Sequence, residues 1–197
     1  MIISVVGSGG KTTLIKKLAA RYRSEGKTVL ITTTTHMLIE KDTLLTDDAG
    51  VIMQALKETG CVMAGIPDGE KFKALSRKTF DAVCTCADVV LVEADGSKGL
   101  PLKAHLPHEP VIPACANQVI QVVGLSGLGT PIKEAVHRPE RFAELCGCTV
   151  EDLATPERVA KVLNTEALAD LYVVTQAGQG RELARLLHAG CKMLHAE

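Results

Sequence analysis

Ile2-Ile3-Ser4-Val5-Val6-Gly7-Ser8-Gly9-Gly10-Lys11-Thr12-Thr13-Leu14 begins as a β-branched apolar run, passes through a glycine cluster and enters an amphipathic pattern. A strand, a glycine loop and a helix with Lys-Thr in its first turn read as a phosphate-binding P-loop. Glycine lets backbone N–H groups come close to phosphate oxygens, and the helix N-terminus adds positive potential. On this reading Gly7, Ser8, Gly9, Gly10, Lys11, Thr12 and Thr13 bind phosphate. Lys11 reaches the β- and γ-phosphates of ATP or GTP, and the Thr12 hydroxyl ligates Mg²⁺. The usual pattern is G-x-x-x-x-G-K-[ST], and Val5 stands where its first glycine would be. The loop is therefore a variant, and the motif alone does not fix its course.

Outward from this stretch, strand and helix patterns alternate. Leu14, Ile15, Leu18, Ala19 and Tyr22 fall at helical spacing, which predicts a helix over 11–24 ended by Gly26. Strands are expected at 28–33, 61–66, 89–93, 119–123 and 171–175. Helices are expected at 49–58, 78–86 and 181–188, and another starting at Thr155-Pro156-Glu157, where Thr caps and Pro occupies the first position. Residues 34–48 read as a variable loop. Residues 96–113, with Pro101, Pro107, Pro110 and Pro113, read as an irregular functional loop. Val89-Val90-Leu91-Val92 is a continuous apolar run, the pattern of a strand buried on both faces. The expected fold class is α/β, P-loop NTPase-like, with a mainly parallel sheet and helices on both faces. A single domain over 1–197 is expected, long enough for a substantial core.

Composition removes several function classes. The net charge is −1, which gives no field to attract nucleic acid or an anionic membrane. Two Tyr, three Phe and no Trp leave few stacking platforms for single-stranded nucleic acid. No apolar stretch is long enough for a transmembrane helix, and no basic leader precedes the first strand, so a cytoplasmic protein is expected. The seven cysteines are an odd number, which argues for reduced thiols rather than a disulfide framework.

Ligands of parallel sheets bind beyond the carboxyl ends of the strands, and the unusual polar residues fall there. Thr32-Thr33-Thr34-Thr35-His36 follows the second strand. Its first two threonines suit a β-branched strand end. Thr34 and Thr35 stand where a switch loop would offer a hydroxyl to Mg²⁺ or the γ-phosphate. Glu93-Ala94-Asp95-Gly96 follows the long apolar strand. An acid there is the usual Mg²⁺-linked carboxylate, and Glu93 to Gly96 has the D-x-x-G spacing with Glu for Asp. Asp95 competes with Glu93 as metal ligand or water-orienting group. The reading gives Lys11, Glu93 and Asp95 the catalytic work, and Thr12, Glu93 and Asp95 the metal.

Glu93-Ala94-Asp95-Gly96-Ser97-Lys98-Gly99-Leu100-Pro101-Leu102-Lys103-Ala104-His105, continued by His108-Glu109-Pro110-Val111-Ile112-Pro113, resembles the selenium-dependent hydroxylase accessory proteins, the YqeC-like family. The variant P-loop, the threonine run, residues 124–131 and His137-Arg138-Pro139-Glu140 share the resemblance, which covers at least residues 1–165. It implies a nucleotide-binding protein that serves maturation of selenium-dependent molybdenum hydroxylases. Expected partners are a nucleoside triphosphate, a molybdenum hydroxylase or its cofactor- and selenium-insertion machinery, and, by analogy with maturation NTPases, a second copy of the chain.

Within that loop, Lys98 and Lys103 could neutralise charge or hold an anionic second substrate, Lys103 fitting a solvated lysine slightly better. His105, His108 and Glu109 could form part of a metal or acid–base site, although loop histidines more often cap or pack. After the strand at 171–175, Thr175-Gln176-Ala177-Gly178 stands where N-K-x-D would read guanine. Its Asp is missing, so ATP and GTP both remain open. Cys84-x-Cys86 and Cys146-x-Cys148 could hold a soft metal, or be small core residues. Hydrolysis would be slow without a partner, because no arginine finger lies near the motifs. The alternatives are an ATP-dependent kinase or ligase acting on a small substrate, and a non-catalytic nucleotide-binding scaffold or metallochaperone.

Overall fold

A computed structural model describes residues 1–175, 180–187 and 190–193. In chain order its elements are β1 (Ile2–Gly7), α1 (Lys11–Ser24), β2 (Val29–Thr33), β3 (His36–Leu38), β4 (Thr43–Leu45), α2 (Ala49–Thr59), β5 (Cys61–Asp68), β6 (Lys71–Lys73), α3 (Arg77–Cys84) and β7 (Val89–Glu93). They continue with β8 (Leu102–Lys103), β9 (Gln118–Gly124), α4 (Ile132–Ala135), β10 (Val136–His137), α5 (Pro139–Cys146), α6 (Pro156–Glu166), β11 (Leu171–Thr175), α7 (Gly180–Leu186) and β12 (Gly190–Met193). The chain divides into two compact units, the first made of Met1–Val5, Thr12–Asp95 and Val111–Gln118, the second of Val6–Lys11, Gly96–Pro110 and Val119–Glu197.

In the first unit β7 lies between β1 and β2, parallel to both, and β2 is parallel to β5. β4 adds to β5 in parallel, whereas β6 pairs antiparallel with both β5 and β3. Leu30, Val62, Ala64, Val90 and Val92 share one core cluster with Ile52 and Leu56 of α2 and Val83 of α3. Side chains alternate along a strand, so Val29, Ile31, Val89 and Leu91 point to the opposite face. They too are buried. Both faces of these strands are covered, as the unbroken apolar run requires.

The second unit carries β9, β11 and β12 as a parallel set, with β8 and β10 forming a separate parallel pair. Its core gathers Leu102, Val123, Ile132, Phe142, Val159, Leu163 and Tyr172. The Tyr172 hydroxyl donates to the Leu163 carbonyl at 3.0 Å, so its buried polar end is satisfied.

α1 occupies the residues its spacing predicts. Thr155 caps α6 by accepting from the Arg158 N–H, as read from the sequence. The variable loop at 34–48 contains β3 and β4, and the proline-rich segment contains β8. These strands are two or three residues long, too short to show a period of two. The expected helix at 181–188 is seen as α7, and its last residue lies outside the described residues.

At α2 the Asp48 carboxylate accepts from the Gly50 and Val51 N–H groups at 2.8 and 3.1 Å. Loss of such a cap costs about 1 kcal/mol. Asp48→Ala should therefore lower the unfolding free energy by that amount, which moves the urea midpoint down while leaving the unfolding slope unchanged, measured by circular dichroism.

Candidate functional site

The glycine loop is shaped by backbone crowding within the second unit. Gly7 and Gly9 have φ of +89° and +82°. A Cβ on Gly7 would stand 2.3 Å from the Val122 carbonyl oxygen, and one on Gly9 would stand 2.4 Å from Gly124 Cα. Neither contact leaves room for any side chain. The Ser8 N–H donates to Val122 O at 2.9 Å, and the Ser8 hydroxyl donates to Leu100 O. From the end of β11 the Thr175 hydroxyl donates to Gly9 O. Lys11 is 5% exposed and its ammonium donates to Gly7 O at 2.8 Å, so it folds back over the loop it follows. Val5, at the missing first glycine, is a fully buried strand residue. The turn therefore starts two residues later than in the common motif, at Gly7.

Within the first unit a hydroxyl and a carboxylate meet. The Thr12 hydroxyl donates to Glu93 Oε2 at 3.1 Å. Both are hard oxygen donors of the kind Mg²⁺ prefers, and they lie within reach of one another. Strand register produces this: Glu93 is paired with Val5 on one side and Thr33 on the other. Its carbonyl accepts from the Thr33 hydroxyl at 2.8 Å and the Thr34 N–H at 3.1 Å. The Thr34 hydroxyl donates to Val111 O at 2.6 Å. The Thr35 N–H donates to the Thr33 hydroxyl at 2.9 Å. Glu93 and Asp95 are both buried. Thr13, Gly10, Gly96 and Lys98 are exposed.

The proline-rich segment departs from expectation at Lys103. Its side chain is fully buried rather than solvated, and it donates to Gly96 O at 2.6 Å. It also pairs with Glu109 at 3.1 Å, and Arg138 holds the other carboxylate oxygen at 2.8 Å. Burial pushes the Glu109 carboxyl up, but hydrogen bonds from Arg138 and Lys103 outweigh it and hold the group at about 2. Neighbouring His137 is pushed down by burial and then by the Lys103 and Arg138 cations. His105 is tied to Glu166, which accepts from its backbone N–H at 2.6 Å and meets Nδ1 at 2.8 Å. His108 is exposed. Among the described residues no group of three or more His, Cys, Asp and Glu side chains could hold a metal ion.

Of the C-x-C pairs, Cys146 is buried, Cys84 and Cys148 are half-buried and Cys86 is exposed. Burial drives the Cys84 thiol up to about 12 and the Cys146 thiol to about 11, the latter helped by the Cys148 sulfur 2.9 Å away. Thiols so raised stay protonated at neutral pH while no metal is bound, which makes them poor nucleophiles. The Gln176, Ala177 and Gly178 positions, where guanine would be read, lie outside the described residues.

Sequence reading missed Thr175 as a clasp on the loop and Glu166 as the partner of His105. Thr175 stood in the stretch read for base recognition, so its place at a strand end was visible and its bond to Gly9 was not. Glu166 lies 61 residues from His105, and no local pattern announces such a pair.

A strand–glycine loop–helix unit on a mainly parallel sheet, with Lys11 over the loop and Thr12 against a strand-end acid, defines an α/β protein of the P-loop NTPase kind. Its residues 3–140 match the YqeC protein family, to which the chain belongs. It is 38% identical over 157 residues to the Uncharacterized protein YqeC of Escherichia coli (strain K12), an alignment covering 75% of this chain and 61% of that protein. The chain thus spans about three fifths of the length of that curated relative. Among solved structures it is similar to the MinC:MinD cell division protein complex of Aquifex aeolicus, with a TM-score of 0.52 and 13% identity over 100% of this chain and 81% of that one. That likeness shows the fold. No helix among the described residues is long and apolar enough to cross a membrane.

The charge cluster makes a pH prediction. The folded Glu109 value lies below its ordinary 4.5, so its stabilisation is complete above that pH and is lost as pH falls toward about 2. Glu109→Gln should lower stability at pH 7 and flatten the stability–pH curve across that interval. Urea midpoints taken through the acid range check this, and parallel curves for the two proteins would count against it.

Proposed function

We propose that this chain is a Mg²⁺-dependent nucleoside triphosphate-binding and -hydrolysing accessory protein that serves maturation of selenium-dependent molybdenum hydroxylases. The observation that carries the nucleotide part is the Thr12–Glu93 contact at 3.1 Å, one residue beyond the P-loop lysine. Thr12 and Glu93, with Asp95 as the competing acid, would hold Mg²⁺ beside the β- and γ-phosphates, where the metal would neutralise developing charge. Lys11 would exchange its bond to Gly7 O for phosphate oxygens, a charge-assisted contact stronger than the one it leaves. Gly9, Gly10 and the first turn of α1 would present N–H groups to phosphate, with Gly7 and Ser8 fixing the turn. Thr13, Gly96 and Lys98 would line the exposed side. Thr34 and Thr35 would act as switch hydroxyls only after leaving their present partners. Whichever of Glu93 and Asp95 is not on the metal would orient the attacking water.

The maturation context rests on the resemblance carried by residues 93–113. Its partners would be a molybdenum hydroxylase or the machinery that inserts its cofactor and selenium, and the active form would be a cytoplasmic homodimer. With no arginine finger near the motifs, a partner would supply the charge that speeds hydrolysis.

Calorimetric titration of ATP and GTP, with and without Mg²⁺, tests the reading. Wild type should bind one of them at about micromolar Kd, and Lys11→Ala should weaken that by about ten- to a hundredfold, the loss of one charge-assisted contact. Glu93→Gln should remove most of the Mg²⁺ dependence. Failure of wild type to bind either nucleotide overturns it.

A further inference from the structure

The first unit holds a cavity of about 270 Å³, of whose lining the P-loop reading uses Thr34 alone. Leu75, Phe80, Val111, Ile112 and Pro113 give it apolar walls, and Thr33 and Thr34 form its floor. Those two threonines hold the Glu93 carbonyl through the Thr33 hydroxyl and the Thr34 N–H, at 2.8 and 3.1 Å. The cavity is therefore built onto the strand end that carries Glu93. Its far side comes from residues 111–115, which are pinned there by two bonds. Val111 N–H donates to Ala94 O at 2.9 Å, and Val111 O accepts from the Thr34 hydroxyl at 2.6 Å.

We propose that this cavity is a binding site for a small, uncharged aromatic or heteroaromatic molecule of one or two fused rings, seated against Phe80 and Pro113 beside Glu93. Three observations point to that chemistry. The volume suits a ring system of this size, just below the range of drug-sized pockets. Phe80 supplies a face against which a planar ring packs well. The charged groups in its lining, Arg77 and Asp81, already neutralise one another at 2.6 Å, so a charged ligand would lose hydration without gaining a free counter-ion. The Thr34 hydroxyl donates to the Val111 carbonyl and can still accept a hydrogen bond from a ring N–H or O–H. A role as second substrate or effector of phosphate chemistry rests on the nucleotide reading, whereas the binding site itself does not.

The test uses 2-naphthol as the uncharged probe and 2-naphthoate as its anionic match, each titrated into the full chain by ligand-observed NMR. Naphthol should bind with a Kd on the order of 1 mM or tighter, and naphthoate at least about tenfold more weakly. Ala114 is exposed on the cavity wall, so Ala114→Trp can fill the space without strain and should abolish naphthol binding. A urea melt confirms that the variant is folded. Cys115 is exposed and lines the same cavity, which gives a readout in wild type alone. Naphthol should slow its alkylation by N-ethylmaleimide, mapped by mass spectrometry, and should leave alkylation of exposed Cys86 unchanged. The proposal fails if naphthol does not bind, if naphthoate binds as well, if a folded Ala114→Trp still binds, or if Cys115 is not protected. Lys11→Ala should keep naphthol binding while losing nucleotide, so the failure of either reading is seen separately.

Discussion

Gly7 and Gly9 sit so close to the backbone at Val122 and Gly124 that their missing side chains are a packing requirement before they are a ligand requirement. Everything at the loop follows from that crowding. It sets the positive φ values and brings Ser8 N–H to Val122 O, and it leaves Lys11 to fold back over Gly7. In the usual motif a glycine five positions before the one that precedes the lysine helps open the turn. Here that position is Val5, locked in a strand, and the approach of a neighbouring strand end shapes the loop instead. Thr175 closes the arrangement from a third strand end by bonding the Gly9 carbonyl.

A second point of convergence is the Glu93 peptide. Its carbonyl takes bonds from Thr33 and Thr34, while its side chain takes one from Thr12. One residue thus couples the end of β2, the end of β7 and the first turn of α1. The threonine run earns its length by this sharing: Thr32 bonds back to Ala64 O, Thr33 and Thr34 to Glu93, and Thr35 to Thr33. β-branched residues that extend easily also keep a hydroxyl in hand at a point where backbone carbonyls crowd together.

The central frame was legible because its signals are local. An apolar strand, a glycine cluster and a helical period over 11–24 can each be read within a few residues, and so can the Thr155 cap. The short strands β3, β4 and β8 were not legible, since pairing with partners far along the chain, rather than period or composition, makes them strands, and β6, which turns straight back on β5, is only three residues long. The same division holds at the site. Lys11, Thr12 and Glu93 were marked by motif and strand end. Lys103 was misread as solvated because a lysine in a proline-rich loop carries no sign of the carboxylate six residues on or the guanidinium of Arg138. Burial of a charge is a property of the whole fold, and only the folded chain reveals its counter-charge.

The Lys103–Glu109–Arg138 cluster also constrains how this chain can change over generations. One carboxylate separates two cations, one of them fully buried. Replacing Glu109 alone leaves the cations facing each other, and replacing either cation alone changes the charge balance at the carboxylate that holds the other. Such positions are epistatic: a substitution at one alters the cost of substitutions at the other two. Drift at these three sites should therefore proceed in paired steps, through intermediates that most descendants do not survive, and the segment would stay fixed for reasons of charge balance even if its surface had no other task.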